Sequence, residues 1–260
     1  MKKLALAAAL AATFATPMLA QAADAKSDWT FAGNAGLVSD YRFRGFAQTD
    51  YKPAFQGGFD LSHASGFYLG NWNSNVEQNL YNGASLEMDF YGGYKGSVGD
   101  YGYDVGYYYY MYPNSGDQQA KYGSAPKVKN GELYIGGSYG PVSAKWWYST
   151  TNFFSLGDGT PTDTKGSWYL DLAGNVDLGE GLGLNAHYGY QKVENGKKIG
   201  LLDDHVADYK VGVTYDVAKT GWILGASVIG TSKKEFFTTG SGSAEAGGKT
   251  SLVLSVNKSF

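Results

Sequence analysis

Histidines, a glycine-rich segment and scattered charges are the places where this 260-residue chain could carry chemistry. His63, His187 and His205 have neither the helical nor the hairpin spacing of metal ligands. The segment from Gly247 to Thr250 imitates the end of a phosphate-binding loop, but the full pattern needs glycine at the position of Ser243. We therefore predict no catalytic, cofactor-binding or metal-binding residue, and no enzyme activity.

Composition removes several other classes of protein. The chain has no cysteine, which excludes a disulfide scaffold and a thiolate metal site. The net charge of -3 and the pI of 5.6 disfavour a nucleic-acid partner. Hydrophobic residues make up 43% of the chain, and 38 glycines stand beside 22 tyrosines, so disorder is not expected.

The N-terminal segment has the pattern of a secretory signal peptide. Lys2 and Lys3 precede an apolar stretch of alanine and leucine, and Ala20-Gln21-Ala22 forms a small-x-small cleavage site. We predict that residues 1–22 are removed and that residues 23–260 form one domain. No later apolar run reaches 18 residues, so any membrane crossing is expected to use strands.

Alternation of apolar and polar residues dominates the mature chain. From Ser85 to Lys95 one side of the predicted strand is mainly apolar and the other mainly polar, over the length that a tilted strand needs to cross a bilayer. The pattern predicts twelve strands, at residues 28–38, 53–62, 67–73, 84–95, 101–112, 131–140, 142–152, 166–178, 182–192, 207–217, 221–230 and 248–260. Either face of the strand at 67–73 could meet lipid.

Connections between these strands alternate between short and long along the whole chain. This alternation is typical of a transmembrane antiparallel up-and-down β-barrel with short periplasmic turns and longer extracellular loops. A secreted β-sandwich is the competing fold. The barrel is favoured because tryptophan and tyrosine lie near strand ends, as in interfacial girdles; the girdle residues would be Trp29, Trp72, Tyr101, Trp146, Trp168, Tyr190 and Trp222.

One stretch resembles a known family. Ser39-Asp40-Tyr41-Arg42-Phe43-Arg44-Gly45, with the segments that follow it as far as Trp72, is similar to the TorF family of proteobacterial porins. The resemblance implies an outer-membrane barrel with a pore and names no substrate. The last residue, Phe260, follows alternating apolar residues and looks like the signature read by the barrel assembly machinery.

Strand parity places a mixed set of charges in the lumen. Eight inward acids stand against five inward bases, which favours weak cation preference. Arg42 and Arg44 are expected together at the top of the first strand. Tyr108 and Tyr110 either form an aromatic track for a planar solute or fill a narrow barrel. The pore-lining candidates are Arg42, Arg44, Glu87, Asp89, Asp104, Tyr108, Tyr110, Lys145, Asp171, His187, Asp208 and Lys210.

Twelve strands predict a narrow lumen, between that of a filled eight-stranded barrel and that of a wide porin. The expected function is passive diffusion of small polar solutes or ions across the bacterial outer membrane. The alternative is a closed-lumen structural or adhesive barrel that acts through its extracellular loops. The expected partners are outer-membrane lipid, lipopolysaccharide, the barrel assembly machinery and the diffusing solutes.

Overall fold

A computed structural model describes residues 27–116, 126–218, 220–237 and 247–260. The predicted signal peptide lies outside these residues. The described chain is built from strands, whose bounds are β1 Trp29–Val38, β2 Arg42–Phe43, β3 Phe46–Ala47, β4 Ala54–His63, β5 Phe67–Asn75, β6 Leu86–Val98, β7 Tyr101–Met111, β8 Lys129–Tyr139, β9 Val142–Ser149, β10 Trp168–Gly179, β11 Leu182–Lys192, β12 His205–Asp216, β13 Trp222–Thr231 and β14 Ser251–Ser259. Two short 3-10 helices span Phe153–Ser155 and Gly196–Ile199. Within the described ranges, no helix is long and apolar enough to cross a membrane.

Twelve of the strands form a closed antiparallel barrel, which confirms the predicted fold class and strand number. Each barrel strand pairs with its neighbour along the chain, and β1 closes the ring by pairing with both β4 and β14. Closure satisfies the backbone hydrogen bonds of both edges, which is the condition for strands to span lipid. The remaining strands, β2 and β3, pair only with each other.

Long and short connections alternate around the barrel as predicted. At one end the turns are tight, and several use residues with positive φ, such as Gly66, Gly140 and Gly181. At the other end lie the long connections, after β1, β5, β7, β9, β11 and β13. The final strand begins at Ser251 rather than at residue 248, because the backbone of Gly247 and Gly248 bonds to Ala47 and Lys234 instead of a barrel strand.

The outer surface of the barrel is apolar and the inner surface polar. Leu37, Leu69, Ile135 and Val211 are more than half exposed on the outer face, which suits contact with hydrocarbon. Trp29, Tyr101, Trp146 and Trp222 are also exposed there, as expected for girdle residues.

The register of β5 shows which of its two faces points outward, and it corrects one girdle assignment. Phe67 and Leu69 face outward, while Tyr68 bonds to Asp104 in the interior. With that register Trp72 points inward and meets Tyr41 edge to face, 5.4 Å between ring centroids. Trp72 is therefore part of the interior packing and not of the interfacial girdle, because parity ties it to Tyr68.

Candidate functional site in the barrel lumen

The connection after β1 folds into the lumen and carries both arginines with it. We expected Arg42 and Arg44 together at the top of the first strand, and that placement is wrong. Arg42 lies in β2, whereas Arg44 lies in the turn between β2 and β3 with φ 47°, next to Gly45 with φ 82°. Left-handed conformations at two successive residues reverse the chain, which makes a hairpin of residues 42–47. We call this segment the lumen hairpin.

Arg42 anchors the base of the lumen hairpin. Its guanidinium bonds to Asp40 at 2.5 Å and to the Gly45 carbonyl at 2.9 Å, which braces the hairpin from within. It also donates to the carbonyls of Gly247 and Lys249 and to Ser251 Oγ, at 3.2, 3.0 and 2.6 Å. Arg42 thus fastens the hairpin to the start of β14. The segment that imitates a phosphate loop, Gly247 to Thr250, accepts these hydrogen bonds through its carbonyls. It leads into a strand, so it lacks the helix that a phosphate loop needs.

Arg44 reaches across the lumen to the far wall. Its two terminal nitrogens donate to Glu132 Oε2 on β8 and to Gln191 Oε1 on β11, both at 2.6 Å. Around the ring, β8 lies five strands from β1 in one direction and β11 lies four strands away in the other. The guanidinium also stacks over the Tyr169 ring at 4.2 Å. Because the Arg44 side chain is 7% exposed and that of Glu132 is 0% exposed, this ion pair is buried.

Aromatic side chains fill the space around the lumen hairpin. Phe43 packs edge to face on Tyr110 and Phe154, each 5.5 Å away between centroids. On the other side of the hairpin, Phe46 packs against Phe236 and Phe237 from the connection after β13. Buried and partly buried aromatic side chains consequently fill the half of the lumen at the long connections on opposite sides of the hairpin.

A layer of carboxylates and tyrosines lies beside the lumen hairpin, on the wall formed by β6, β7 and β8. Tyr112 donates to Glu87 at 2.9 Å, and Tyr108 donates to Asp89 at 3.0 Å. Tyr110 donates to Glu132 at 3.2 Å. Glu87 and Asp89 are buried, and each keeps one oxygen without a hydrogen bond among the described residues. The tyrosines therefore face inward as parity predicted, but they are packed and bonded rather than open to a solute.

A ladder of alternating charge runs around the wall from β7 to β12. Lys145 bonds to Asp104 at 2.6 Å. His187 holds two carboxylates, with Nδ1 2.7 Å from Asp171 and Nε2 2.6 Å from Asp208. A protonated ring donates through both nitrogens and so carries positive charge between the two acids. Lys210 stands beside His187 in the register of β11 and β12.

The half of the lumen at the short turns is less densely filled. The inward residues Gly102, Ser138, Ser143 and Ala173 are small there and partly exposed. The lumen thus consists of a sparsely filled half at the short turns and a packed half that the lumen hairpin crosses.

The structure brings all twelve candidates to the inside of the barrel, but it groups them in ways that parity alone did not indicate. Arg42 and Arg44 separate into an anchor and a bridge. Four partners of these arginines and lumen charges were missing from the candidates: Glu132, Gln191, Tyr169 and Tyr68. Inward parity was the available signal for each, but polar or aromatic character alone does not identify which distant residue it meets.

Two other chemical readings can be tested against the geometry. No group of three or more histidine or acidic residues in the described ranges is placed to hold a metal ion. No catalytic residue was predicted, yet the segment from Gly136 to Gly140 has the spacing of a serine hydrolase motif. It forms the extended end of β8 and its turn, whereas the hydrolase motif requires a strand-to-helix turn that exposes the serine.

The sequence matches one family model over residues 22–260, described as a bacterial protein of unknown function, Gcw_chp. The chain therefore belongs to this family. The resemblance of residues 39–72 suggested the TorF family, but the matching family model does not bear that name. No curated protein matches the sequence.

Solved porins share the fold. The KdgM porin has a TM-score of 0.53 at 10% identity, covering 89% of this chain and 99% of that one. The NanC porin has a TM-score of 0.53 at 7% identity with the same coverage. A KdgM porin in complex with disordered oligogalacturonate has a TM-score of 0.54 at 10% identity. At these identities the similarity is one of fold, a twelve-stranded porin barrel.

Proposed function

We propose that this protein is an outer-membrane channel of the porin type that passes small polar solutes or ions by passive diffusion. The observation that carries the proposal is the closed twelve-stranded barrel with an apolar exterior and a charged interior. An apolar outer wall is stable only in lipid, and a charged inner wall is stable only with water or with paired charges. Both conditions are met by a channel in the bacterial outer membrane.

The finer parts of the proposal rest on the sequence and on packing. Residues 1–22 direct export, and Phe260 completes the strand signature for the barrel assembly machinery. Phe260 pairs with Gly33 through two backbone hydrogen bonds, which places the last residue at the seam where the barrel closes. Lipopolysaccharide would contact the outer face around the long loops.

Charge selectivity follows from which carboxylates lack a basic partner. Asp104, Asp171, Asp208 and Glu132 lie against basic side chains. Glu87 and Asp89 are instead held by tyrosine hydroxyls, which bring no charge. These two acids are buried, whereas Asp60 on β4 is partly exposed and accepts the hydroxyl of Tyr91, which also brings no charge. We therefore propose a weak preference for cations, carried by the accessible inward acids.

Single-channel conductance tests the proposal directly. Protein refolded from residue 23 onward is placed in a planar bilayer under a salt gradient. Discrete current steps with a reversal potential of cationic sign are expected. Asp60→Asn should move the reversal potential towards zero, while Asp100→Asn, in the exposed turn between β6 and β7, serves as the matched control. A reversal potential of anionic sign would refute the cation preference without affecting the channel.

A closed-lumen barrel is the second candidate, and the packed half of the lumen favours it. In that case the refolded protein shows the heat-dependent gel shift of a folded barrel but carries no current under any voltage. Function would then reside in the extracellular loops.

A further inference from the structure

The lumen hairpin has a construction that differs from the wall around it. Its two strands are only two residues long each, and a ladder of this length has little stability of its own. Three non-glycine residues of the connection, Arg44, Asp50 and Tyr51, have left-handed φ values between 47° and 61°. Such conformations are maintained only by surrounding contacts.

Backbone bonds fasten the base of the hairpin but not its tip. Ala47 N donates to the Gly247 carbonyl at 2.9 Å, and Gln48 bonds on both sides, to Tyr41 and Glu77. Among the described residues, no backbone hydrogen bond joins residues 43–46 to a barrel strand. The tip is attached to the far wall through the side chain of Arg44, with Phe43 and Phe46 packed beside it.

We propose that the lumen hairpin is a movable gate and that the bonds of Arg44 to Glu132 and Gln191 are its latch. This inference rests on the proposed channel function and names how that channel is regulated. Arg42 keeps the hinge in place, so release of Arg44 lets the tip leave the far wall without unfolding the barrel. The latch is charge-assisted, and loss of such bonds shifts a two-state equilibrium by about tenfold or more.

A disulfide across the gate tests this inference. The chain contains no cysteine, so an introduced pair has no competing partner. A side chain added at Gly45 would lie 2.6 Å from Thr231 Cγ2, so cysteines at these positions come close to the spacing of a disulfide. We expect Gly45→Cys with Thr231→Cys to lower the open probability about tenfold when oxidised and to regain it in reductant. Each single variant, treated in the same way, is the control.

A second measurement follows the hairpin without needing a current. Ser149, on β9, is 0% exposed and bonds to Glu132 behind the hairpin. Ser149→Cys should react with a polar thiol reagent about tenfold faster when Arg44→Ala is added, since the open state exposes the thiol. Glu132→Gln should give an intermediate rate. The exposed Thr160→Cys should react at one rate in all backgrounds.

The two measurements separate the two proposals. Equal currents in the oxidised and reduced pair, or equal labelling rates with and without Arg44, would overturn the gate. Faster labelling in a protein that never conducts would support the moving hairpin and overturn the channel function.

Discussion

Removing the ring of His187 should lower the free energy of unfolding of the barrel, by an amount that follows from the two ion pairs the ring makes with Asp171 and Asp208. The ring lies between two carboxylates whose side chains are each 3% exposed. His187→Leu leaves both acids without that partner. Breaking a buried ion pair on one side costs about 3–5 kcal/mol.

The expected cost lies at the lower end of that range, about 3 kcal/mol, because each acid retains some compensation. Asp208 still accepts the Tyr169 hydroxyl at 3.1 Å. Asp171 lies opposite Lys145 in the register of β9 and β10. A change of about 3 kcal/mol lowers the ratio of folded to unfolded protein by more than about a hundredfold.

Urea unfolding of the barrel in lipid vesicles, followed by the gel shift, measures this change. Asn185→Leu is the matched control, because Asn185 lies two residues away on β11 and its Oδ1 has no hydrogen bond among the described residues. The triple variant His187→Leu, Asp171→Asn, Asp208→Asn should recover most of the loss, since it removes the buried charges together. The reasoning fails if His187→Leu unfolds like the control, or if the triple variant is less stable than His187→Leu.

Three further predictions concern loops, the hairpin and assembly. Lys233 bonds to Asp203 at 2.5 Å and holds the pKa of that carboxyl well below its usual range. This contact between loops should therefore be fully present above about pH 4 and be lost only as the pH falls through the lowered pKa; a carboxyl titration by NMR in which Lys233→Met leaves that pKa unchanged would contradict the assignment. Gly45→Ala should lower the free energy of unfolding in urea more than Gly140→Ala does. Both glycines have positive φ, which costs an alanine about 1–2 kcal/mol, but only a Cβ at Gly45 would meet neighbouring atoms. Equal losses of stability would mean that the hairpin tip is not in contact with the wall. Deletion of Phe260 should reduce the fraction of protein assembled in the outer membrane, as read by the gel shift in membrane fractions, and normal assembly would remove this residue from the recognition signature.

Parity along each strand was enough to assign most side chains to lipid or lumen. The side-chain period of a strand is two, so one correctly placed residue orients its whole strand. Leu69 and Tyr68 illustrate the limit, since the alternation in that short strand was compatible with either face. Pairing with β4 and β6 removed the ambiguity by placing Leu69 beside Leu61 and Gly92 on one face.

The connections between strands were harder to predict than the strands. Turn residues indicated how long each connection is, but not the path it takes across the barrel. Arg42 and Arg44 were expected together at the top of the first strand, on one side of the wall, because they are two residues apart. The chain instead reverses at Gly45, and the two side chains acquire different partners.

Strand number, the closed antiparallel barrel and the inward position of the candidate residues were determined by the sequence itself, because each follows from local periodicity and from turns between neighbouring segments. Only the tertiary structure decided that the connection after β1 crosses the lumen. Arg44 meets residues 88 and 147 positions away in the sequence, and no periodicity encodes which inward residues of a closed ring will face one another across it. That contact lies in the packed half of the lumen and sets it apart from the sparsely filled half at the short turns.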